Sequence, residues 1–395
     1  MKSQNRSGMW LAFTCGMDMF SRIGGGAMRS GISESKVFGV FLALAGGLFV
    51  GACSGEHDAG HGADAGTIGD GGGETFTSIP NPALVVANGG TGMVHIIDPT
   101  SLSVVSSVSV GTGLHPHHLA VAPSKTAVLV SATSADLSEG HGGEHGGHGV
   151  SSTTFVYRID VASREMKKVI AVDAIAHNAA FTPDGASIVL AMMEHGMVAG
   201  YSAKTFAQTF STSGFQMPLE VTPTNVGALL VAESGASRVA LFDLASRSVA
   251  TAFEVGATPV AAWASGGPNY FVSVEGGRAV RHLVEGGTNV TLDTHTLDPE
   301  GIPGQAILTP DGTELWVAVE DRAVVAIFNA STHAKLGEFA AGTKPHGIAF
   351  EPSGTRAFIT DESGGRVLVA DVAARNVTGE ITVDGKPNGI AWVAP

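Results

Sequence analysis

The side chains best able to do chemistry in this chain are histidines. There are 15 of them, and three occupy one position of a recurring segment. His117 lies in PHHLAVAP, His177 in AHNAAFTP and His346 in PHGIAFEP. Met217, Val260, Gly304 and Asn388 take that position in the other copies, and His115 and His118 flank His117. A second group is His195 beside Glu194. A third is the run His141-Gly-Gly-Glu144-His145-Gly-Gly-His148. Zinc or copper(II) requires neutral imidazole nitrogens that converge from different strands to about 2.0–2.1 Å from the ion. His117, His177 and His346 are therefore candidate ligands, with His195 and Glu194 nearby. The glycine-spaced run lacks rigidity, so its metal binding should be weaker and fast-exchanging, which suits recruitment and hand-over.

Such convergence needs elements that return repeatedly to one axis, and the sequence supplies them. A strand after a Pro-containing turn recurs at PHHLAVAP, AHNAAFTP, QMPLEVTP, PVAAWA, PGQAILTP, PHGIAFEP and PNGIAW. A following strand recurs at ALVVAN, AVLVSA, SIVLAM, ALLVAE, YFVSVE, LWVAVE and AFITDE. The period of about 40–45 residues is that of a four-stranded propeller blade. β-branched residues fill the runs and helical periodicity is nearly absent. Residues 80–395 are thus expected to form an all-β, seven-bladed β-propeller. The chain enters at the second strand of a blade, near Ala83, and leaves at a first strand, Asn388 to Val393. The last strand should therefore complete the first blade and leave no open edge between them.

The pattern Pro-x-Gly-[Ile/Val]-Ala-x-x-Pro-x-Gly, followed by a strand ending in Asn, Asp or Glu and then by Val-x-[Val/Ile]-x-Asp, resembles the YVTN/NHL class of propeller repeats. That class carries ligand binders, scaffolds and enzymes on one ring, so the resemblance implies a fold and not an activity. A histidine-lined propeller with a His-rich loop is also similar to periplasmic zinc metallochaperones that feed zinc transporters. Nitrous oxide reductase places histidines around a propeller axis too, but its copper site needs more histidines and a second copper domain that this chain lacks.

The rest of the chain bears on location. Val37 to Val50 is a 14-residue apolar run preceded by Arg29 and Lys36, too short for a typical spanning helix and suited to a signal-peptide core. Val50-Gly51-Ala52-Cys53 resembles a bacterial lipobox, which implies removal of residues 1–52 and lipidation of Cys53. Met28 is the expected true start. Residues 53–79, rich in Gly, Ala and Asp, read as a flexible tether with a reach of roughly 25–30 Å. The expected location is the bacterial cell envelope, anchored by lipid at the outer membrane. The two cysteines, Cys15 and Cys53, both precede the propeller, which excludes disulfides within it. A formal charge of −14 argues against nucleic-acid binding.

One insertion, residues 133–153, carries the His-rich run between two strands. Asp98, Asp160, Asp243, Asn329 and Asp371 close third strands and read as acceptors for turn N–H groups. Glu194, Glu233, Glu275, Glu320 and Asp361 end second strands, as turn caps or as acids that draw cations to the funnel. His95, His282 and His333 read as surface or packing residues. The preferred function is a monomeric, envelope-anchored zinc binder, with copper as the alternative metal and a metal-transport protein as partner. A scaffold propeller with incidental histidines is the alternative. A lactonase-type hydrolase ranks last, for want of a nucleophile motif or a distinct acid–base pair.

Overall fold

Short runs of Val, Ile, Ala and Phe between Gly, Asp and Pro turns have one stable arrangement here, which is sheet packed on sheet. The structure, a computed structural model, describes residues 73–138 and 152–394. It contains seven antiparallel sheets. Blade 1 is 83–109 completed by Pro387–Val393. Blades 2 to 7 follow as 115–172, 179–213, 218–254, 259–297, 303–340 and 345–382. Ala83 pairs with Val393 and Val86 with Ile390, so the last strand closes the ring as the sequence implied.

The core is distributed around the ring. One apolar cluster fills each of the seven blade–blade interfaces, for example Val85, Ile96, Val130 and Ile159 between blades 1 and 2. Third strands close as expected. Asp98 accepts from Thr100 N, Asp160 from Ser163 N, Asp243 from Ser246 N, Asn329 from Thr332 N and Asp371 from Ala374 N.

One boundary needs correction. The tether was expected to run to residue 79, but Glu74–Thr75 pairs with Glu165 and Met166 on the outer edge of blade 2. Phe76 is fully buried in the cluster between blades 1 and 2. A lone aromatic in a Gly-rich stretch gave no periodic signal. The apolar run Val37 to Val50, Cys53, and His141, Glu144, His145 and His148 lie outside the described residues.

The innermost strands share a distortion that builds the site. Pro116 pairs with Ala132 and Leu119 with Val130, so His117 and His118 together oppose Ser131. The same two-against-one bulge lifts out Leu219 and Glu220, Gly304 and Gln305, His346 and Gly347, and Asn388 and Gly389. Consecutive side chains of a regular strand point to opposite faces, and a bulge re-aims them. Gly347 and Gly389 permit the close approach this requires. A Cβ on Gly389 would stand 2.3 Å from the His117 carbonyl oxygen, and one on Gly347 would stand 2.6 Å from that of Asn388.

Candidate metal centre

The bulges at His117 and His118 and at His346, with His177 just before the inner strand of blade 3, bring four imidazoles together from three blades. Ring centroids are 4.2 Å apart for His117 and His118, 4.5 Å for His117 and His177, and 5.6 Å for His117 and His346. His118 lies 5.4 Å from His177 and 5.9 Å from His346. All four are buried. His117, His177 and His346, the three expected ligands, thus meet at the axis.

Carboxylates orient the rings. Glu220 Oε1 lies 2.9 Å from His118 Nε2 and 3.2 Å from His177 Nδ1. Glu320 Oε1 lies 2.8 Å from His346 Nδ1. When Nδ1–H donates to a carboxylate, Nε2 carries the lone pair that a metal takes, an arrangement that fixes both tautomer and ring plane. Burial by itself would raise the Glu220 carboxyl, but His118 and His177 hold it well below the usual carboxylate range. Burial would likewise lower His346, and Glu320 outweighs it and raises the imidazole above its ordinary value. Ligand atoms of His117, His118 and His346 come within 4.8 Å of one another, as do those of His118, His177 and Glu220 and those of Glu320, His346 and Glu362.

Lys344 braces the acidic side. Its Nζ lies 2.8 Å from Glu362 Oε2 and 3.7 Å from Glu320 Oε2. Burial opposes its charge, yet Glu362 and Glu320 raise its pKa. Asn388 Nδ2 donates to Glu362 Oε1 at 3.2 Å. A cavity of about 40 Å³ adjoins the cluster, lined by His118, Trp263, Gln305, His346 and Asn388 among others. It is of water or ion size, far below the several hundred Å³ of a small-molecule pocket.

The insertion begins across this mouth. Leu137 is buried against Ile175, Met193, Leu219, Val260 and Ala261. On the other side Lys344 Nζ donates to the Ser138 carbonyl at 2.6 Å, and Lys386 Nζ lies 3.1 Å from Asp136 Oδ2. The covered mouth is therefore apolar where Leu219 and Val260 take the repeat position, and polar where the histidines do.

Several expectations change. Met217 does not take the repeat position in blade 4. Pro218 pairs with Glu233 as Pro345 pairs with Asp361, so Leu219 takes it, and Met217 is exposed with φ +46°. The hairpin after this strand is one residue shorter in blade 4 than in blade 7, so Pro223 stands level with Phe350 and not with Pro352, and the slip hid Glu220. Glu194 and His195 are exposed and are outside the converging groups. Glu194 Oε2 accepts from Ile175 N at 2.5 Å, as a turn cap. Glu233 and Asp361 also cap, accepting from Gln216 N and from Thr343 N and Lys344 N. Glu320 instead faces the site, because Asp321 caps blade 6 through Ile302 N. His118 went unselected because strand alternation assigns it to the face opposite His117.

No protein-family model matches the chain, and no curated protein matches it. Solved structures do match. A functionally unknown protein from Desulfotomaculum acetoxidans superposes with TM-score 0.63 at 17% identity, covering 80% of this chain and 100% of that one. The periplasmic gluconolactonase PpgL of Pseudomonas aeruginosa gives 0.61 at 19%, covering 80% and 99%. A Bacteroides fragilis protein provisionally described as a 6-phosphogluconolactonase gives 0.61 at 15%, covering 79% and 98%. At these identities the likeness is one of fold, the seven-bladed propeller.

Proposed function

We propose that this protein is a non-enzymatic binder of a divalent transition metal, zinc first and copper(II) second, held by His117, His118, His177 and His346 at the covered mouth of the ring. One observation carries the reading: four buried imidazoles from three blades stand within a few ångströms of one another, three of them paired with buried carboxylates. Nitrogen donors of this kind suit zinc and copper and not magnesium or calcium. Glu220, Glu320 and Glu362 against the single Lys344 make the surroundings anionic, which favours a cation. The bound metal would supply a fixed dication. The chain's own residues would orient the imidazoles and exclude water through Leu137. The His141–His148 run would recruit metal, and lipid at Cys53 would hold the protein in the envelope beside a metal-transport partner.

Zinc titration of the full chain by calorimetry tests this, beside a His117→Ala/His177→Ala/His346→Ala variant. Tight binding lost in the variant supports the site. Absent or unchanged binding removes it. A second reading, a lactone hydrolase, is favoured by the two structural neighbours described as lactonases. Hydrolysis of gluconolactone by the full chain above the spontaneous rate, abolished by Glu220→Gln, would replace the first reading with this one.

A further inference from the structure

A second histidine cluster lies on the outer rim, away from the axis. His282 is on the third strand of blade 5, Asp293 and His295 are on its outermost strand, and His333 is in the outer turn of blade 6. His282 Nδ1 and His333 Nε2 are 3.2 Å apart. Asp293 brings a carboxylate oxygen into the same group, with all three ligand atoms within 4.8 Å of one another. His295 Nδ1 lies 2.6 Å from Asp293 Oδ1, and its ring is 5.0 Å from that of His333.

Two departures from the repeat create this cluster. In the other six blades the third and fourth strands share a bulge in which one residue of the outer strand is skipped, as between Ile96/Ile97 and Leu241/Phe242. In blade 5 Arg281 pairs with Thr296 and Leu283 with Leu292. Three residues, Asp293 to His295, therefore face the single residue His282. The second departure is His333. Its φ of +59° is the left-handed turn position that Leu102, Arg164, Phe206, Arg247 and Arg375 hold in other blades. From that position a side chain reaches the preceding blade, as Arg375 does when it pairs with Glu314. In blade 6 the residue that reaches across is a histidine, and what it meets is His282.

We infer that His282, His333 and Asp293, with His295 as the fourth donor, form a divalent transition-metal site that clasps blades 5 and 6, independent of the site at the axis. Nitrogens about 2.0–2.1 Å from one tetrahedral ion stand roughly 3.3–3.4 Å apart, close to the separation found. His282 Nε2 lies 2.9 Å from Asn269 Oδ1, so Nε2–H donates there and Nδ1 carries its lone pair toward His333. His282 also stacks on Phe271 at 4.6 Å, which holds the ring in place. Such an outer partner for the far nitrogen is the usual support of a histidine ligand. In the metal-free protein the His333 Nε2–H bridges to His282 Nδ1; on binding, His333 would take the other tautomer, its proton on Nδ1, so that Nε2 presents its lone pair to the ion. Burial lowers the pKa of both imidazoles, which favours their neutral, lone-pair-bearing form. Three imidazoles and one carboxylate select zinc or copper(II) over calcium or magnesium.

The test uses zinc alone and the full chain carrying His117→Ala/His118→Ala/His177→Ala/His346→Ala, so that the axial site has lost all four of its imidazoles. Histidine side-chain nitrogen spectra are recorded during titration, and bound zinc is counted after dialysis. One retained equivalent, with the resonances of His282 and His333 shifted, is expected. Adding His333→Asn, which tolerates the left-handed turn, should release that equivalent while circular dichroism stays unchanged. Unshifted His282 and His333 resonances, or retention that survives both His333→Asn and Asp293→Asn, overturns the inference.

Discussion

His346 and Glu320 belong to neighbouring blades, and Nδ1 of one lies 2.8 Å from Oε1 of the other with both side chains buried. The pair ties blade 7 to blade 6 and aims an imidazole at the axis. It also makes a pH-dependent contribution to stability. Glu320 raises His346 above its ordinary value. Stability from such a raised group is present below the unfolded pKa of about 6.5 and is lost as pH rises through the folded value.

Replacing Glu320 by Gln should therefore do two things. Zinc affinity should fall 10- to 100-fold, the usual effect of losing a ligand's outer partner. The melting temperature of the metal-free protein should drop more at pH 6 than at pH 9. Calorimetry and thermal scans at the two pH values read both effects, and equal losses at both would contradict the pairing.

His95 should act in the opposite direction. Burial lowers its pKa, which Asp384 only partly offsets, and Ser107 Oγ lies 2.7 Å from Nδ1. The stability it secures is present above about pH 6.5 and is lost as pH falls through its depressed folded value. A His95→Gln variant should have a flatter acid limb in a plot of melting temperature against pH. A limb as steep as the parent's would show that His95 is not the group responsible.

Gly389→Ala should destabilise the protein by about 1–3 kcal/mol, the usual cost of overpacking, and should displace His117, whose carbonyl oxygen the new Cβ would crowd. Gly379→Ala is the control, because its Cβ would lie 3.9 Å from that of Val369, an ordinary contact. Denaturant titration compares the two. Equal stability in the two variants would mean that the inner strands yield more readily than their packing indicates.

Leu137→Ala removes the apolar contact that seats the start of the insertion over the mouth. Its expected signature is kinetic. Zinc release into a chelator should quicken at least several-fold, with equilibrium affinity reduced by the same factor and association little changed. Release at the parent rate would mean that the metal leaves by another route.

Much of the fold was legible because its determinants are local. Turn residues, strand periodicity and a repeat of fixed length specify a blade wherever it stands, and the register of the first and last copies specifies ring closure. His117, His177 and His346 were legible for the same reason, as three equal positions in three repeats. What the tertiary structure decided is what depends on bulges and on neighbouring blades. His118 joins the site because two consecutive residues leave the ladder together. Glu220 joins because the bulge of blade 4 falls on Leu219 and Glu220, a register that the shortened hairpin after this strand concealed and that leaves Met217 outside it. Glu320 was set free when Asp321 took over the turn, while Glu194 and His195 stayed in an exposed one. His282 and His333 meet only across two blades, opposite a bulge without counterpart in the repeat. A repeat specifies which residue occupies a position, whereas closing the ring specifies which residues face one another across it.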